Sequence, residues 1–167
     1  MPAMWMIRGD GGRLYDDFRD RNLAAIGWAQ LALVAKPGVS RKALIQAYKE
    51  LQPGIKDASA VSGASQVFRF VNEISVGDTV VTYSPANRTY LVGRCTGACQ
   101  LRPDLADEGM SLTRPVEWYA DEVDRDKLTG ASRNSLGSTL TVFNIAEDAQ
   151  KELLALATGK KLSLIHI

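Results

Sequence analysis

Histidine is almost absent from this chain, and its absence argues against several kinds of chemistry. The 167 residues contain one histidine, His166, near the C-terminal end, and two cysteines, Cys95 and Cys99. Zinc sites and His-based nucleophilic catalysis depend on these residue types, so neither is indicated. The cysteine pair favours two reduced thiols in an intracellular protein over a disulfide or a metal site. We therefore predict no cofactor and no metal.

A strong charge bias and long apolar runs are also missing. Twenty basic residues face nineteen acidic ones, for a net charge of +1. Overall charge therefore does not indicate a nucleic-acid binder, although a local basic face is compatible with one. No signal peptide is recognisable, and no apolar run has membrane-spanning length. We expect a cytoplasmic protein that makes no contact with membranes.

Enzymatic signatures are the third absence. The GDGGR turn at residues 9–13 is too short for a Walker-type phosphate loop and lacks its Gly-Lys-Ser/Thr end. Its glycines are compatible with two interpretations: they allow a tight turn, or they leave backbone N–H groups free to bind an anion. No Asp…Glu-x-Lys nuclease pattern follows the predicted strands. The adjacent acidic pairs at 16–17 and 121–122 are typical of solvated faces. We predict that this chain is not itself an enzyme.

A β-hairpin between residues 76 and 97 is the most distinct element that the sequence does contain. Residues 79–83 and 89–92 are rich in β-branched and aromatic side chains. Residues 84–88 contain the Pro and Asn that favour turns. Gly93 predicts a bulge or a close backbone approach. A long hairpin needs further strands or a helix on its apolar face, and the rest of the chain supplies candidates.

Hydrophobic periodicity predicts the other elements. Further strands are expected at residues 4–8, 23–28, 98–102, 112–119 and 138–143. Helices are expected at residues 14–22, 40–51 and 57–74, and after a capping box of Asn144 and Glu147. These elements predict an α+β fold, a small bent β-barrel of five to six strands flanked by helices. Residues 1–159 are expected to form one domain, and 160–167 a linker start or a tail outside the fold.

Two predictions about packing accompany this fold. Pro115 predicts that the strand at 112–119 lies at an edge or contains a bulge. The 57–74 helix is expected to pack on the sheet through Val67, Phe68 and Val71. Residues 133–137 are predicted to form a loop.

Aromatic and basic residues near strand ends are the candidate binding groups. Trp5, Trp28 and Trp118 could wall a pocket for a planar base, although a single tryptophan is more often part of a core. Tyr83 could add to such a wall or simply pack. Phosphate contacts are predicted for Arg88, Arg13, Arg94 and Arg133, with Arg88 at the hairpin tip as the best candidate. The edge of a base could be read by Asp10, Ser84, Asn134 and Ser135, which could equally make local turn hydrogen bonds.

Six segments together resemble a known family. MWMIRGDGGRLYDDF, AIGW, RFVNEISVGDTVVTY, RTYLVGRCTG, RPVEW and RNSLGSTLTVF resemble the N-terminal domain that precedes the nuclease domain in many Mrr-type restriction endonucleases. That domain is similar to the PUA-like superfamily, which includes the EVE, YTH and ASCH domains. The resemblance covers nearly all of residues 4–145. It implies a bent β-barrel flanked by helices, and several members bind modified bases, flipped or single-stranded, in an aromatic pocket.

The resemblance also implies roles for single residues. Trp28 matches the tryptophan that stacks on the base in YTH-like domains. Arg8, Gly9 and Asp10 match the segment that contacts the edge of the base. The second wall of the pocket would be Trp5, Tyr83 or Trp118.

The leading hypothesis is therefore a module that reads a modified base, in DNA, and targets an attached restriction nuclease. A nucleotide or another small ligand in the same pocket is one alternative. A protein–protein or oligomerisation domain is another, because an exposed hairpin edge could pair with a second copy to form a dimer.

Overall fold

Eight strands form one curled, half-barrel mixed sheet in the computed structural model, which describes residues 3–159. The strands are β1 (Met4–Ile7), β2 (Leu23–Ile26), β3 (Thr79–Ser84), β4 (Thr89–Cys95), β5 (Gln100–Leu101), β6 (Leu112–Trp118), β7 (Val123–Asp124) and β8 (Val142–Asn144). Their order is β2-β6-β4-β3-β1-β8, while β5 pairs with β6 and β7 pairs with β4. The predicted α+β class and bent sheet are confirmed. The predicted tail at 160–167, with His166, lies outside the described residues.

Within residues 3–159, six α-helices surround the sheet. They are α1 (Tyr15–Arg21), α2 (Ala29–Ala32), α3 (Arg41–Leu51), α4 (Asp57–Phe68), α5 (Gly130–Ser135) and α6 (Glu147–Ala157). Ser40 caps α3 as its sequence position suggests, because its Oγ accepts the Ala43 N–H at 3.0 Å. None of the helices within residues 3–159 is long and apolar enough to cross a membrane.

The predicted hairpin forms and lies inside the sheet. β3 and β4 pair in antiparallel register from Thr79↔Arg94 to Ser84↔Thr89. On its other side β3 pairs in parallel with β1, and β4 pairs with β6 and β7. Both outer edges of the hairpin are therefore covered. The expectation that an exposed hairpin edge could pair with a second copy is wrong, because β2 and β8 form the edges of the sheet.

The core lies on both faces of the sheet. Along β1, Met4 and Met6 belong to a cluster on one face, and Trp5 and Ile7 to a cluster on the other. This alternation follows from the two-residue period of a strand. The chain must therefore cover both faces, and α6 packs on the first while α1 and α4 pack on the second.

The helix at 57–74 differs from the prediction in its second half. The α-helical part, α4, ends at Phe68 and continues as a π-helical turn, Arg69–Glu73. The wider turn brings Phe70 into the core, where it is fully buried. Val67 and Val71 are buried as predicted, but Phe68 is only half-buried and lies under the Arg41 guanidinium, 5.1 Å from the ring centroid.

Pro115 lies neither at a sheet edge nor in a bulge. It pairs with Leu23 of β2, and on its other side the neighbours of β6 change from β4 to β5. The Thr96 N–H donates to the Pro115 carbonyl at 2.9 Å, so the missing proline N–H points towards the gap between β4 and β5.

The C-terminal third also differs from the prediction. Residues 133–135 belong to α5 rather than to a loop, because Thr129 caps this helix through its side chain. β8 begins at Val142 instead of 138, and Asn144 is part of it. The last helix, α6, therefore starts at Glu147 without a side-chain cap.

Candidate functional site

Trp28 follows β2 in a backbone conformation that bulky residues rarely adopt. Its φ of 53° and ψ of 54° lie in the left-handed region, so the predicted strand ends two residues earlier. Such a conformation costs on the order of 1–3 kcal/mol and persists only when the surrounding structure enforces it. A side-chain carbon at Gly63 would lie 3.2 Å from Trp28 Nε1, which shows how closely α4 packs on the indole.

The half-buried Trp28 side chain forms part of the wall of a cavity of about 320 Å³, called here the Trp28 cavity. Its other lining residues are Arg8, Asp10, Leu14, Ala25, Gly27, Gly109 and Thr141. Arg8 comes from the end of β1 and Asp10 from the following turn, where its φ of 51° is also left-handed. The fold thus brings together Trp28, Arg8 and Asp10, three residues predicted for the pocket.

Gly9 and Arg13 support this cavity without lining it. A Cβ at Gly9 would lie 2.9 Å from the Leu14 Cβ, so the turn after β1 requires a residue without a side chain. Arg13 forms an ion pair with Asp10 (Nε to Oδ2, 2.6 Å), and its Nη2 donates to the Glu108 carbonyl at 3.2 Å. Its charge is therefore already compensated, which weakens the prediction that it contacts phosphate.

A second cavity, of about 400 Å³, lies on the other side of Arg8 and is called here the Arg-lined cavity. Its lining residues are Met6, Arg8, Tyr83, Pro85, Arg88, Tyr90, Arg125, Arg133, Leu136 and Gly137. Four of these are arginines and none is acidic. The cavity thus contains Arg88 and Arg133, two of the predicted phosphate ligands. It also contains Tyr83, which was predicted to form a wall of the base pocket beside Trp28 but does not line the Trp28 cavity.

Electrostatic effects are consistent with a basic environment in this cavity. Burial raises the pKa of the Tyr90 phenol, while the nearby guanidinium groups of Arg125 and Arg133 oppose that rise. At the rim, Arg88 Nη2 lies 2.7 Å from Asp126 Oδ1, and this hydrogen bond lowers the pKa of the Asp126 carboxyl. The rings of Tyr83 and Tyr90 lie 4.5 Å apart at 35° and form one wall.

Two of the predicted tryptophans lie outside both cavities. Trp5 is buried in the core, where its Nε1 donates to Asp78 Oδ2 at 3.1 Å. Trp118 packs over Gly93, and its Nε1 donates to the Phe18 carbonyl at 2.8 Å. In both cases the indole N–H has a partner within the fold, as buried tryptophans generally require.

Four other predicted residues also lie outside the cavities. Ser84 is buried and its Oγ accepts the Asn87 N–H within the hairpin turn. Asn134 and Ser135 are exposed on α5, and Ser135 Oγ donates to the Ser132 carbonyl of the same helix. Arg94 is exposed near the end of β4.

Arg125 is the main residue of the Arg-lined cavity that the sequence did not identify. It lies in a charged segment, next to Asp124 and Asp126, that resembles an ordinary solvated turn. The pairing of β7 with β4 through Thr89↔Asp124, and the hydrogen bond from the Arg125 N–H to the Arg88 carbonyl at 2.9 Å, bring it beside the hairpin. Within residues 3–159, no three His, Cys, Asp or Glu side chains come together in a way that could hold a metal ion.

Comparison with solved structures identifies the fold. The chain is similar to the YTH domain of the Zygosaccharomyces rouxii MRB1 protein, solved in complex with N6-methyladenosine RNA. The TM-score is 0.51 at 13% identity, covering 96% of this chain and 87% of that one. Weaker likenesses link it to Rpa0253 of Rhodopseudomonas palustris (TM-score 0.45, 11% identity, 99% of both chains). A third is Atu2648 of Agrobacterium tumefaciens (TM-score 0.42, 12% identity, 93% and 92%).

The likeness to the YTH domain confirms the YTH-like fold that the resemblance implied, but the resemblance to the Mrr-type N-terminal domain is not confirmed. No curated protein matches the chain. A family model described as "Domain of unknown function (DUF8426)" matches residues 5–146, and the chain therefore belongs to that family.

Proposed function

We propose that this protein binds nucleic acid and holds a modified, unpaired base against Trp28 in the Trp28 cavity. The observation that carries the proposal is the left-handed Trp28, whose half-buried ring shares a cavity of about 320 Å³ with Arg8 and Asp10. Its support is the fold shared with a YTH domain that was solved with N6-methyladenosine RNA.

The lining of the cavity suits a planar base with an added methyl group. Stacking of a base on an aromatic ring contributes ~1–3 kcal/mol, and it tolerates different bases. Asp10 can accept a hydrogen bond from an exocyclic amino group, and Arg8 can donate to a ring nitrogen or a carbonyl oxygen. The volume lies near the lower end of small-ligand sites, roughly 300–1,000 Å³, which fits one base better than a larger ligand.

The base must leave its stack to reach Trp28, so the target is a flipped or single-stranded nucleotide. Extruding a base from a duplex costs a few kcal/mol, and less where the base is mismatched or unpaired. DNA as the target, and an attached restriction nuclease as the partner that receives this specificity, complete the proposal. Both rest on the resemblance to Mrr-type N-terminal domains, whereas the similar YTH domain was solved with RNA. The experiment therefore compares DNA with RNA.

The test is a titration of short single-stranded oligonucleotides that differ in one base. DNA and RNA strands would contain N6-methyladenine, 5-methylcytosine, 5-hydroxymethylcytosine or the unmodified base, and fluorescence anisotropy would report binding at low salt. We expect one modified strand to bind more tightly than its unmodified partner. Equal affinity for every strand, or no binding above background, would overturn the proposal.

The Trp28 variants test the site itself. Trp28→Ala should weaken binding of the preferred strand by ~5–150-fold, which corresponds to ~1–3 kcal/mol of stacking. Trp28→Phe keeps an aromatic ring and should lose less. Melting curves of both variants show whether they fold, and unchanged affinity in folded Trp28→Ala would remove this residue from the site. If the free modified nucleoside raises the melting temperature of the protein as much as the modified strand does, the cavity is a small-ligand site instead.

A further inference from the structure

We infer that the Arg-lined cavity is a second binding site, for a phosphate group that carries two or more negative charges. Such a group is a phosphate monoester or a pyrophosphate, at the end of a strand or on a free nucleotide. The inference concerns a cavity other than the Trp28 cavity and does not depend on base recognition there.

The first reason is that three of the four arginines have no salt-bridge partner within residues 3–159. Arg8, Arg88, Arg125 and Arg133 line a cavity of about 400 Å³ that has no acidic lining residue. The salt-bridge partner that the described residues supply to these four is Asp126, which pairs with Arg88 at the rim. Like charges held this close repel each other, and an anion between them would relieve the repulsion.

The second reason is that neutral acceptors hold two of these arginines. Arg8 Nη1 donates to the Ser138 carbonyl at 2.6 Å, and Arg133 Nη1 donates to the Leu128 carbonyl at 2.7 Å. These bonds orient each guanidinium without neutralising it, and each guanidinium has five N–H donors. The remaining donors are free for a ligand, and guanidinium groups bind phosphate oxygens in pairs.

The third reason is the match between charge and volume. A phosphodiester within a strand brings one negative charge, whereas a terminal phosphate brings ~1.5–2 at neutral pH and a pyrophosphate brings more. The volume leaves room beside the phosphate for a sugar, against the wall formed by Tyr83 and Tyr90. A multiply charged phosphate is thus the better complement.

Calorimetric titration at low salt tests the inference. Inorganic pyrophosphate has no base, so its binding reports on the Arg-lined cavity apart from the Trp28 cavity. We expect pyrophosphate and adenosine monophosphate to bind and adenosine to bind far more weakly. Oligonucleotides that differ only in a 5′-phosphate or 5′-hydroxyl then separate the two sources. Tighter binding of the phosphorylated strand than of the mononucleotide indicates a strand end, and the reverse indicates a free nucleotide.

Two variants and one matched control locate the site. Arg125→Gln and Arg133→Gln should each weaken pyrophosphate binding at least tenfold, and melting curves establish that they fold. Should Arg133→Gln fail to fold, Arg125→Gln decides the question alone. Arg94→Gln removes an exposed arginine outside both cavities and should leave binding unchanged. Absence of pyrophosphate binding, or equal weakening by Arg94→Gln and Arg125→Gln, would overturn the inference.

Discussion

At the residue scale, Arg114 is a buried cation whose hydrogen-bond partners are backbone carbonyls. It is 4% exposed, and its guanidinium donates to the carbonyl oxygens of Phe70, Ile74 and Gly97. The first oxygen belongs to the π-helical turn, the second to the residue directly after that turn, and the third to the loop after β4. The side chain therefore ties three segments together and satisfies carbonyls that burial would otherwise leave unpaired.

Replacing this arginine should be costly. Arg114→Met keeps most of the side-chain volume but leaves the buried carbonyl groups of Phe70 and Ile74 without this donor. We expect a loss of about 3 kcal/mol or more in the free energy of unfolding, measured by urea denaturation. Arg94→Met, on the exposed part of β4, is the control and should change stability by less than ~0.5 kcal/mol. A similar loss in both variants would contradict the role assigned to Arg114.

The tryptophans show how far local sequence can predict a site. All three lie at or near strand ends in the sequence, yet only Trp28 lines one of the two cavities described above. What separates them is the partner of each indole N–H, Asp78 for Trp5 and the Phe18 carbonyl for Trp118. These partners are 73 and 100 residues away, so no local pattern could identify them.

At the element scale, β4 and β6 approach each other closely at Gly93. A Cβ at this position would lie 2.5 Å from the Glu117 carbonyl oxygen and 2.8 Å from Trp118 Cε3. The first of these atoms is backbone and cannot move without shifting the strand. Gly93→Ala should therefore lower the free energy of unfolding by ~1–3 kcal/mol or more. Gly27→Ala is the control, since its nearest neighbour would be 3.7 Å away, and equal melting temperatures would contradict the steric argument.

A hydrogen-bonded triad fastens α1 to the hairpin. The hydroxyls of Tyr15 and Thr89 donate to the same Glu122 carboxylate oxygen, at 2.7 and 2.8 Å. These bonds, with that of Tyr15 as the larger cause, lower the pKa of the Glu122 carboxyl below its ordinary 4.5. A lowered pKa in the folded state stabilises the protein above pH 4.5, and that contribution is lost as the pH falls through the lowered value.

Removing the charge at Glu122 should reveal this contribution. Glu122→Gln should lose about 1 kcal/mol at neutral pH, because the amide oxygen is a weaker acceptor for both hydroxyls. The difference from the parent protein should shrink as the pH falls below about 4.5, and it should vanish below the lowered pKa of the Glu122 carboxyl in the folded parent. Denaturation curves at pH 7 and pH 3.5 measure it. A difference that stays constant with pH would show that the charge of Glu122 is not involved.

Elements fixed by near neighbours were predicted well, and those fixed by distant ones were not. The hairpin and the Ser40-capped helix α3 depend on residues close in sequence, and both form where expected. The position of Pro115 was predicted wrongly, because a proline is tolerated inside the sheet here only through the gap between the end of β4 and the start of β5. The π-helical turn at Arg69–Glu73 escaped prediction because its apolar residues also fit an ordinary helix.

At the scale of the whole molecule, the Arg-lined cavity is assembled from four separate segments. Arg8 follows β1, Arg88 lies in the hairpin turn, Arg125 follows β7 and Arg133 lies on α5. The net charge of +1 conceals this local concentration. Only the tertiary fold brings the four arginines together. The composition is therefore compatible with a basic face but could not show where that face lies.

The position of β1 between β3 and β8 restricts how the chain can fold as it is synthesised. β1 pairs with residues 79–81 on one side and with residues 142–144 on the other. At ~5–20 residues per second, roughly 7–30 s separate the synthesis of Ile7 from that of Val142. During synthesis, the edge of the apolar MWMI segment that pairs with β8 therefore stays unpaired until residues 142–144 are made. Arg8 and Arg133 can come together only after most of the strands have been synthesised.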